Sequence, residues 1–453
     1  MGDRYQRRFK IAVIGTGISG MSAAWLLSQH HDVTVYERNE RIGGHSHTVD
    51  APDGKGTIPV DTGFIVYNEK TYPNLTALLA HLGVATEPSN MSFAVSLGGG
   101  ELEYAGTRLG GLFAQKRNLL RPRFWSMLTD IHRFYREAPS DVTLLDELHT
   151  TLGDYLDTRS YSQAFRDDHL LPMAGAIWSA PPDAMLAYPA ASFIRFHDNH
   201  GLLQVSNRPQ WRTVTGGSRS YVERLTASYF DRIELGVGAK RVCRLGDRAA
   251  VTDAGGVTEW FDHVVIAAHA DEALAMLEDP SPSEQALLGA FRYSKNVAIL
   301  HGDAALMPKR RAVWSSWNYI GPASPDRATG CTVTYWMNRL QNIVSEAPLF
   351  VTLNPQREPA ENKIYAVESY QHPLFDSAAI VAQRRLWSLQ GERNTWYCGA
   401  YFGSGFHEDG LQAGLAVAEA LGGVRRPWNV ANESDRIAVG PARSRPQQPS
   451  VAA

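Results

Sequence analysis

The sequence is poor in cysteine and has no long apolar run. Its three cysteines, Cys243, Cys331 and Cys398, are odd in number and far apart, which excludes a disulfide framework and a paired metal-binding motif. A reducing compartment is therefore expected. No apolar stretch approaches the roughly 20 residues that cross a bilayer, and the basic opening residues lead straight into an apolar strand, so neither a spanning helix nor a cleaved secretion signal is expected. Charge of one sign is also lacking. The net charge is −3 and no basic stripe interleaved with stacking aromatics resembles a nucleic-acid module, so no nucleic-acid partner is expected. What is present is ordinary globular material, since 44% hydrophobic and 20% charged residues over 453 positions suffice for two domains with sizeable cores. The expectation is a cytoplasmic protein able to touch the inner face of a membrane.

The most informative stretch is Ile-Ala-Val-Ile-Gly-Thr-Gly-Ile-Ser-Gly at positions 11–20, an apolar strand that runs into Gly15, Gly17 and Gly20. A helix is predicted over 21–29, and the next strand, 32–37, closes on Glu37. Gly15 permits a tight turn, Gly17 lets the backbone approach a pyrophosphate, and Gly20 lets the helix pack on the sheet with its N-terminus toward the phosphates. Glu37 is placed to accept the hydroxyls of an adenosine ribose. Strand, turn, helix and acidic strand end together make a dinucleotide fingerprint.

Helical periodicity returns at 74–82, strands are predicted over 92–103, and the spacing of Leu, Phe, Trp and Tyr over 112–198 is mostly helical. Val214-Thr-Gly-Gly-Ser-Arg219 then leads to a helix over 221–229, strands over 233–237 and 240–245, a hairpin over 249–260 and a buried strand over 263–269. Alternating strand patterns fill 291–386, followed by a strand over 395–401 and a small-residue helix over 410–421. These patterns predict one domain from 1–95, 200–285 and 391–431, a second from 96–199 and 286–390, and a disordered tail over 432–453.

Three separated motifs resemble the flavin-dependent amine oxidase and desaturase superfamily: the glycine turn with Glu37, then Arg41-Ile-Gly-Gly44, and Gly399-Ala-Tyr-Phe-Gly403 followed by Glu408-Asp-Gly-Leu-Gln-Ala-Gly414. The resemblance covers the chain to about residue 425. It implies an α/β fold in which a discontinuous Rossmann-like FAD-binding domain carries an inserted α+β substrate-binding domain, and it implies FAD rather than NAD. The residues so assigned to the cofactor are Gly15, Gly17, Ile18, Ser19, Gly20, Glu37, Arg38, Arg41, Gly43, Gly44, His45, Val242, Gly403, Asp409, Gly410 and Leu411. Amides of Gly410 and Leu411 would stabilise negative charge on the reduced ring, while Asp409 would orient the loop or a ribityl hydroxyl. Val242 is read equally as an adenine bracket or a core valine, His45 as a ring contact or a turn residue, and Cys398 as a buried thiol rather than a covalent flavin link.

Within the superfamily, segments such as Val60-Asp-Thr-Gly-Phe64, Asn199-His-Gly-Leu-Leu203 and Tyr370-Gln-His-Pro373 resemble a bacterial flavoprotein subgroup associated with lipid methyltransferases of the cyclopropane-fatty-acid-synthase type. That resemblance implies a methyl-branched fatty-acyl substrate and oxidation or reduction of a carbon–carbon bond. Candidate proton-transfer residues are His200, His372 and Tyr370, each with a structural role as the alternative. Amine oxidases commonly hold a lysine near the flavin; Lys295 lies on the corresponding strand, with Asn296 as the other claimant. The segment 107–129 bears Arg108, Lys116, Arg117, Arg121 and Arg123 among leucines and aromatics and contains no acid, so it reads as a membrane-surface contact or as a core-facing helix with a solvated basic face. An amine, porphyrinogen or carotenoid oxidase, or a non-catalytic partner of a methyltransferase, are the competing readings.

Overall fold

Apolar, mostly β-branched residues at 11–14 form the strand Lys10–Ile14, in which Ile11, Ala12 and Val13 are wholly buried, as the centre of a parallel sheet requires. In the computed structural model, which describes residues 7–54, 56–106, 109–146, 148–204, 206–322 and 332–440, this strand lies third in a five-stranded sheet. The order is Ile233–Glu234, Asp32–Tyr36, Lys10–Ile14, His263–Ile266, Thr395–Tyr397, and every pairing is parallel. An antiparallel sheet of Ala239–Leu245, Arg248–Asp253 and Thr258–Phe261 belongs to the same unit.

Two compact units divide the described chain: residues up to Gly44 with Leu225–Phe291 and the chain from Val381 onward, and His45–Arg224 with Arg292–Ile380. The second unit holds a seven-stranded sheet in the order Ile364–Leu374, Arg292–His301, Phe350–Leu353, Thr332–Trp336, Trp317–Ile320, Phe93–Leu97, Leu102–Ala105. Its pairings are antiparallel except Trp317–Ile320 with Phe93–Leu97. Pro373 lies in the edge strand, where a missing backbone donor costs no ladder bond. Helices Pro122–Asp141, Leu152–Thr158, Leu171–Trp178 and Ala190–Asn199 fill the region predicted to be helical.

The division differs from the sequence-based one at several places. Residues 45–95 and 200–224 fall in the second unit because their strands pair there: Tyr67–Asn68 and Thr86–Ser89 both flank Trp211–Val214, and Phe93–Leu97 joins the large sheet. Residues 381–390 fall in the first, where Leu386, Trp387 and Leu389 are buried. The first helix runs Ile18–Leu27, beginning earlier than predicted because Ser19 and Gly20 are buried without giving an apolar signal. The strand expected over 233–237 stops at Glu234, since Gly236 turns the chain at φ +68. The described part of the expected tail, 432–440, is held: Arg436 pairs with buried Asp409 and Ile437 is buried. Residues 441–453 lie outside the described residues.

Candidate functional site

The glycine turn in the first unit is built from close backbone approaches. Gly15 takes φ +102 and donates its N–H to the Tyr36 carbonyl at 2.8 Å, and a Cβ there would stand 2.8 Å from the Ala267 carbonyl oxygen. A Cβ on Gly20 would stand 1.9 Å from the Gly15 oxygen. Gly17 is different, because a Cβ there would have no neighbour within 4 Å. Gly17 is also the N-cap of Ile18–Leu27 and supplies no side-chain cap, so the first-turn amides of Ile18, Ser19 and Gly20 find no acceptor inside the helix. An open approach over donors at a helix N-terminus is what a pyrophosphate requires. The second glycine motif crosses this turn: Gly44, at φ +57, would bring a Cβ within 3.0 Å of Gly17 Cα, and Gly43 donates to the Thr16 carbonyl at 3.1 Å. Arg41 donates to the Gly44 carbonyl at 2.8 Å and so fastens its own turn.

Glu37 is buried and fixed before any ribose reaches it. Its Oε2 accepts the Thr16 N–H at 2.9 Å and the Thr16 hydroxyl, and Oε1 accepts the Asn39 N–H at 2.9 Å, leaving lone-pair capacity on a carboxylate that cannot rotate. Arg38 is exposed and pairs with Glu272 at 2.6 Å. Val242 is wholly buried and its carbonyl accepts the Glu278 N–H at 3.1 Å, which is a core strand position.

The C-terminal motif differs from its expected form. The helix runs His407–Gly422, so the Gly410 N–H bonds the Phe406 carbonyl at 3.1 Å within the first turn, and Leu411 lies deeper still. The first-turn amides that have no acceptor inside the helix therefore precede Gly410. The glycines serve helix packing instead, since a Cβ on Gly410 would meet Ser19 Oγ at 2.8 Å and one on Gly414 the Ser19 carbonyl oxygen at 2.2 Å. Asp409, wholly buried, accepts the Phe406 N–H at 2.8 Å and the Arg436 guanidinium at 2.5 Å, which orients the loop. Gly403 passes beneath that pair, where a Cβ would meet Asp409 Cγ at 2.7 Å. Cys398 is a fully buried thiol whose pKa burial pushes far up.

A polar cluster occupies the second unit. The His45 ring lies 4.9 Å from the Tyr370 ring and 5.5 Å from the His372 ring, so three of the candidate residues come together. Gly63 makes room for them, as a Cβ there would meet the His45 carbonyl oxygen at 2.2 Å and Tyr370 Cζ at 3.3 Å. The alternation of the strand Arg292–His301 decides between Lys295 and Asn296. Lys295 is exposed, whereas Asn296 is buried and bonds His372 Nδ1 at 3.0 Å; Lys295 therefore leaves the cluster. The network orients these groups. The Val297 N–H fixes Asn354 Oδ1 at 2.9 Å, the Asn354 amide then donates to Asn296 Oδ1 at 2.7 Å, and the Asn296 amide donates to His372 Nδ1. A neutral His372 so bonded carries its proton on Nε2 and accepts through Nδ1.

Sequence reasoning missed Thr62, His47 and Glu368. The Tyr370 hydroxyl is 2.8 Å from Thr62 Oγ1, which is 3.1 Å from His47 Nδ1, which is 3.5 Å from Glu368. The signal was the Asp61-Thr62-Gly63 triplet. Asp61 is buried and binds Thr48, Ser218 and Gln341; burial pushes its carboxyl up to about 6 against these hydrogen bonds. His200 is placed elsewhere, as its Nδ1 bonds the Phe196 carbonyl at 2.8 Å and its ring stacks on Phe196 at 4.0 Å, a structural role.

Comparison with known proteins bears on the same segments. The family model for flavin containing amine oxidoreductases matches residues 18–302. The chain belongs to that family. As a member of the flavin-containing amine oxidoreductases it is an FAD-dependent enzyme, and the open Gly17 approach and fixed Glu37 fit the adenosine and pyrophosphate of that cofactor. It is similar to a putative flavin-containing monoamine oxidase, AofH, of Mycobacterium tuberculosis, at 27% identity over 332 residues, 70% of this chain and 68% of the relative. In fold it is similar to cyclohexylamine oxidase from Brevibacterium oxydans, with a TM-score of 0.66 and 17% identity over 92% of this chain and 100% of that one. It is also similar in fold to a fatty acid isomerase from P. acnes, with a TM-score of 0.63 and 16% identity over 91% of this chain and 98% of that one. Among the described residues no helix is long and apolar enough to cross a membrane, and no group of three or more His, Cys, Asp or Glu could hold a metal ion.

Proposed function

We propose that this flavoenzyme oxidises or reduces a carbon–carbon bond in a methyl-branched fatty-acyl chain of a lipid. The observation that carries this reading is the identity of the buried group on the strand Arg292–His301, an amide bound to His372 where the amine-oxidase resemblance leads one to expect lysine. The cluster around it is aromatic and contains no amine, comprising Tyr370, His45, His372 and Asn296. A C–H bond beside a methylated double bond is activated enough to be broken, whereas a plain alkane C–H is not. When bound, FAD supplies two-electron chemistry by accepting or giving a hydride.

The chain's own residues handle the accompanying proton. In the oxidising direction one C–H bond gives up a hydride, the neighbouring carbon gives up a proton, and the new double bond forms between them. Tyr370, Thr62 and His47 form a row of hydroxyl, hydroxyl and imidazole that can carry that proton toward Glu368. In the reducing direction the same row runs backwards, from His47 through Thr62 to Tyr370, and returns a proton to one carbon while the hydride adds to the other.

The test combines the holoenzyme with phospholipid bearing a methyl-branched, unsaturated chain under anaerobic conditions, with primary amines in parallel. Bleaching of the flavin by the lipid, with a fatty acid two hydrogens poorer, supports the proposal; so does anaerobic reoxidation of photoreduced enzyme with a product two hydrogens richer. Flavin bleaching by amines alone overturns it in favour of the second reading, amine oxidation, which the similarity to AofH favours.

A further inference from the structure

Between Gln115 and Leu120 the usual placement of polar and apolar side chains is inverted. Gln115 and Asn118 are buried, Leu119 and Leu120 are 47% and 86% exposed, and Leu109 at 77% and Trp125 at 47% are exposed in the same segment of chain. The inversion is held in place by specific bonds. Gln115 Nε2 donates to the Glu101 carbonyl at 3.0 Å and its Oε1 accepts the Glu103 N–H at 3.0 Å, while Asn118 Nδ2 donates to the Glu103 carbonyl at 3.1 Å. Trp125 Nε1 donates to the Leu119 carbonyl at 2.9 Å. A turn anchored by its amides presents its leucines outward at the cost of leaving them in water.

Cations surround these leucines. Arg117 and Arg121 both donate to the backbone carbonyl of Glu101, and among the described residues neither forms an ion pair with a carboxylate; Lys116 is exposed beside them. Arg123 does not belong to this group, because Asp168 holds it at 2.7 Å and 2.9 Å. Nor does Phe124, which is core, and Arg108 lies outside the described residues. Glu103 is likewise held, by Arg310 at 2.7 Å, which leaves Glu101 as the acid facing the patch.

We propose that the surface made by Leu109, Lys116, Arg117, Leu119, Leu120 and Trp125 docks this enzyme on an anionic lipid bilayer. Cations flanking exposed aliphatic side chains match a surface whose headgroups are negative and whose interior takes up leucine. A nucleic acid offers phosphates but nothing that covers three leucines. A second copy of the chain would set Lys116, Arg117 and Arg121 against their own like charges. The surface serves the acyl substrate proposed above and in that respect rests on that reading. Adhesion is measured without turnover, so the two fail separately.

The test is sedimentation of the FAD-loaded full chain with vesicles of phosphatidylcholine alone or mixed with phosphatidylglycerol, at low and high salt. The expected result is binding to the mixed vesicles that weakens with salt, with Arg117→Glu/Arg121→Glu and Leu119→Ser/Leu120→Ser each lowering it about tenfold or more at unchanged FAD content and melting temperature. Because Arg117, Leu119 and Leu120 are exposed and Arg121 is only partly buried, both variants should fold. Binding that ignores charge reversal, a loss confined to the charge variant, or no binding at all overturns the proposal. So does a self-associated protein that becomes monomeric in either variant, which would make the patch a contact between copies.

Discussion

Alanine separates the glycines of the first turn by what each is for. Gly17 has an extended backbone at φ −63 that any residue adopts and open space where a Cβ would go, so Gly17→Ala should change the cofactor-free melting temperature little and weaken FAD retention, read by equilibrium dialysis. Gly20 has a carbonyl oxygen 1.9 Å from the added carbon, and Gly20→Ala should cost about 3 kcal/mol of stability in urea unfolding with or without FAD. Equal effects of the two substitutions would contradict this division. The glycine spacing and Glu37 were legible in the sequence because a short turn writes its whole geometry into adjacent positions. The choice between Lys295 and Asn296 was not, because neighbouring residues in a strand face opposite ways and only the register against Tyr370 and His372 settles which one is inward. His200, His372 and Tyr370 share residue types suited to proton transfer, yet only two of them meet; the third packs on Phe196.

At the scale of elements, the helix His407–Gly422 depends on a residue beyond its own end. Asp409 is wholly buried and Arg436 is the cation that meets it, at 2.5 Å, so Arg436→Ala leaves a charge without its partner. The expected loss is about 3 kcal/mol, seen as a lower melting temperature together with easier loss of FAD; Asp409→Asn combined with Arg436→Ala should recover part of the stability because the stranded charge is gone. The expected disorder after residue 431 overlooked this pair, since Arg436 between Asp435 and the prolines that follow gives no periodic signal. The earlier starts of both cofactor-side helices have one cause: Ser19, Gly20, Asp409 and Gly410 are buried by helix-to-helix and capping contacts, and small or polar residues buried that way are silent in a hydrophobicity pattern.

At the scale of the whole molecule, buried titratable groups set the response to acid. Burial pushes His169 down to about 3 and His197 and His301 down to about 4, from an ordinary value of 6.5. Each binds its proton more weakly folded than unfolded, so the stability it lends is complete above 6.5 and is lost as pH falls toward 4. Asp61, raised to about 6, works in the opposite sense: its contribution is complete below its ordinary value of 3.8 and is lost as pH rises through about 6. His269 and His407 are lowered by burial as well and Asp435 is raised, so five histidines outweigh two carboxyls; the melting temperature should drop by several degrees between pH 7 and pH 4, and His197→Phe should flatten that limb. A melting temperature that rises on acidification would reverse the assignment. The parallel sheet has a further consequence, for synthesis. The strand Lys10–Ile14 lies between Asp32–Tyr36 and His263–Ile266, and the helix Ile18–Leu27 packs against the glycines of His407–Gly422. A ribosome making this chain therefore releases its first strand with one neighbour close behind it but the other more than 200 residues away, and that open edge has to be kept from aggregating until His263–Ile266 has been translated.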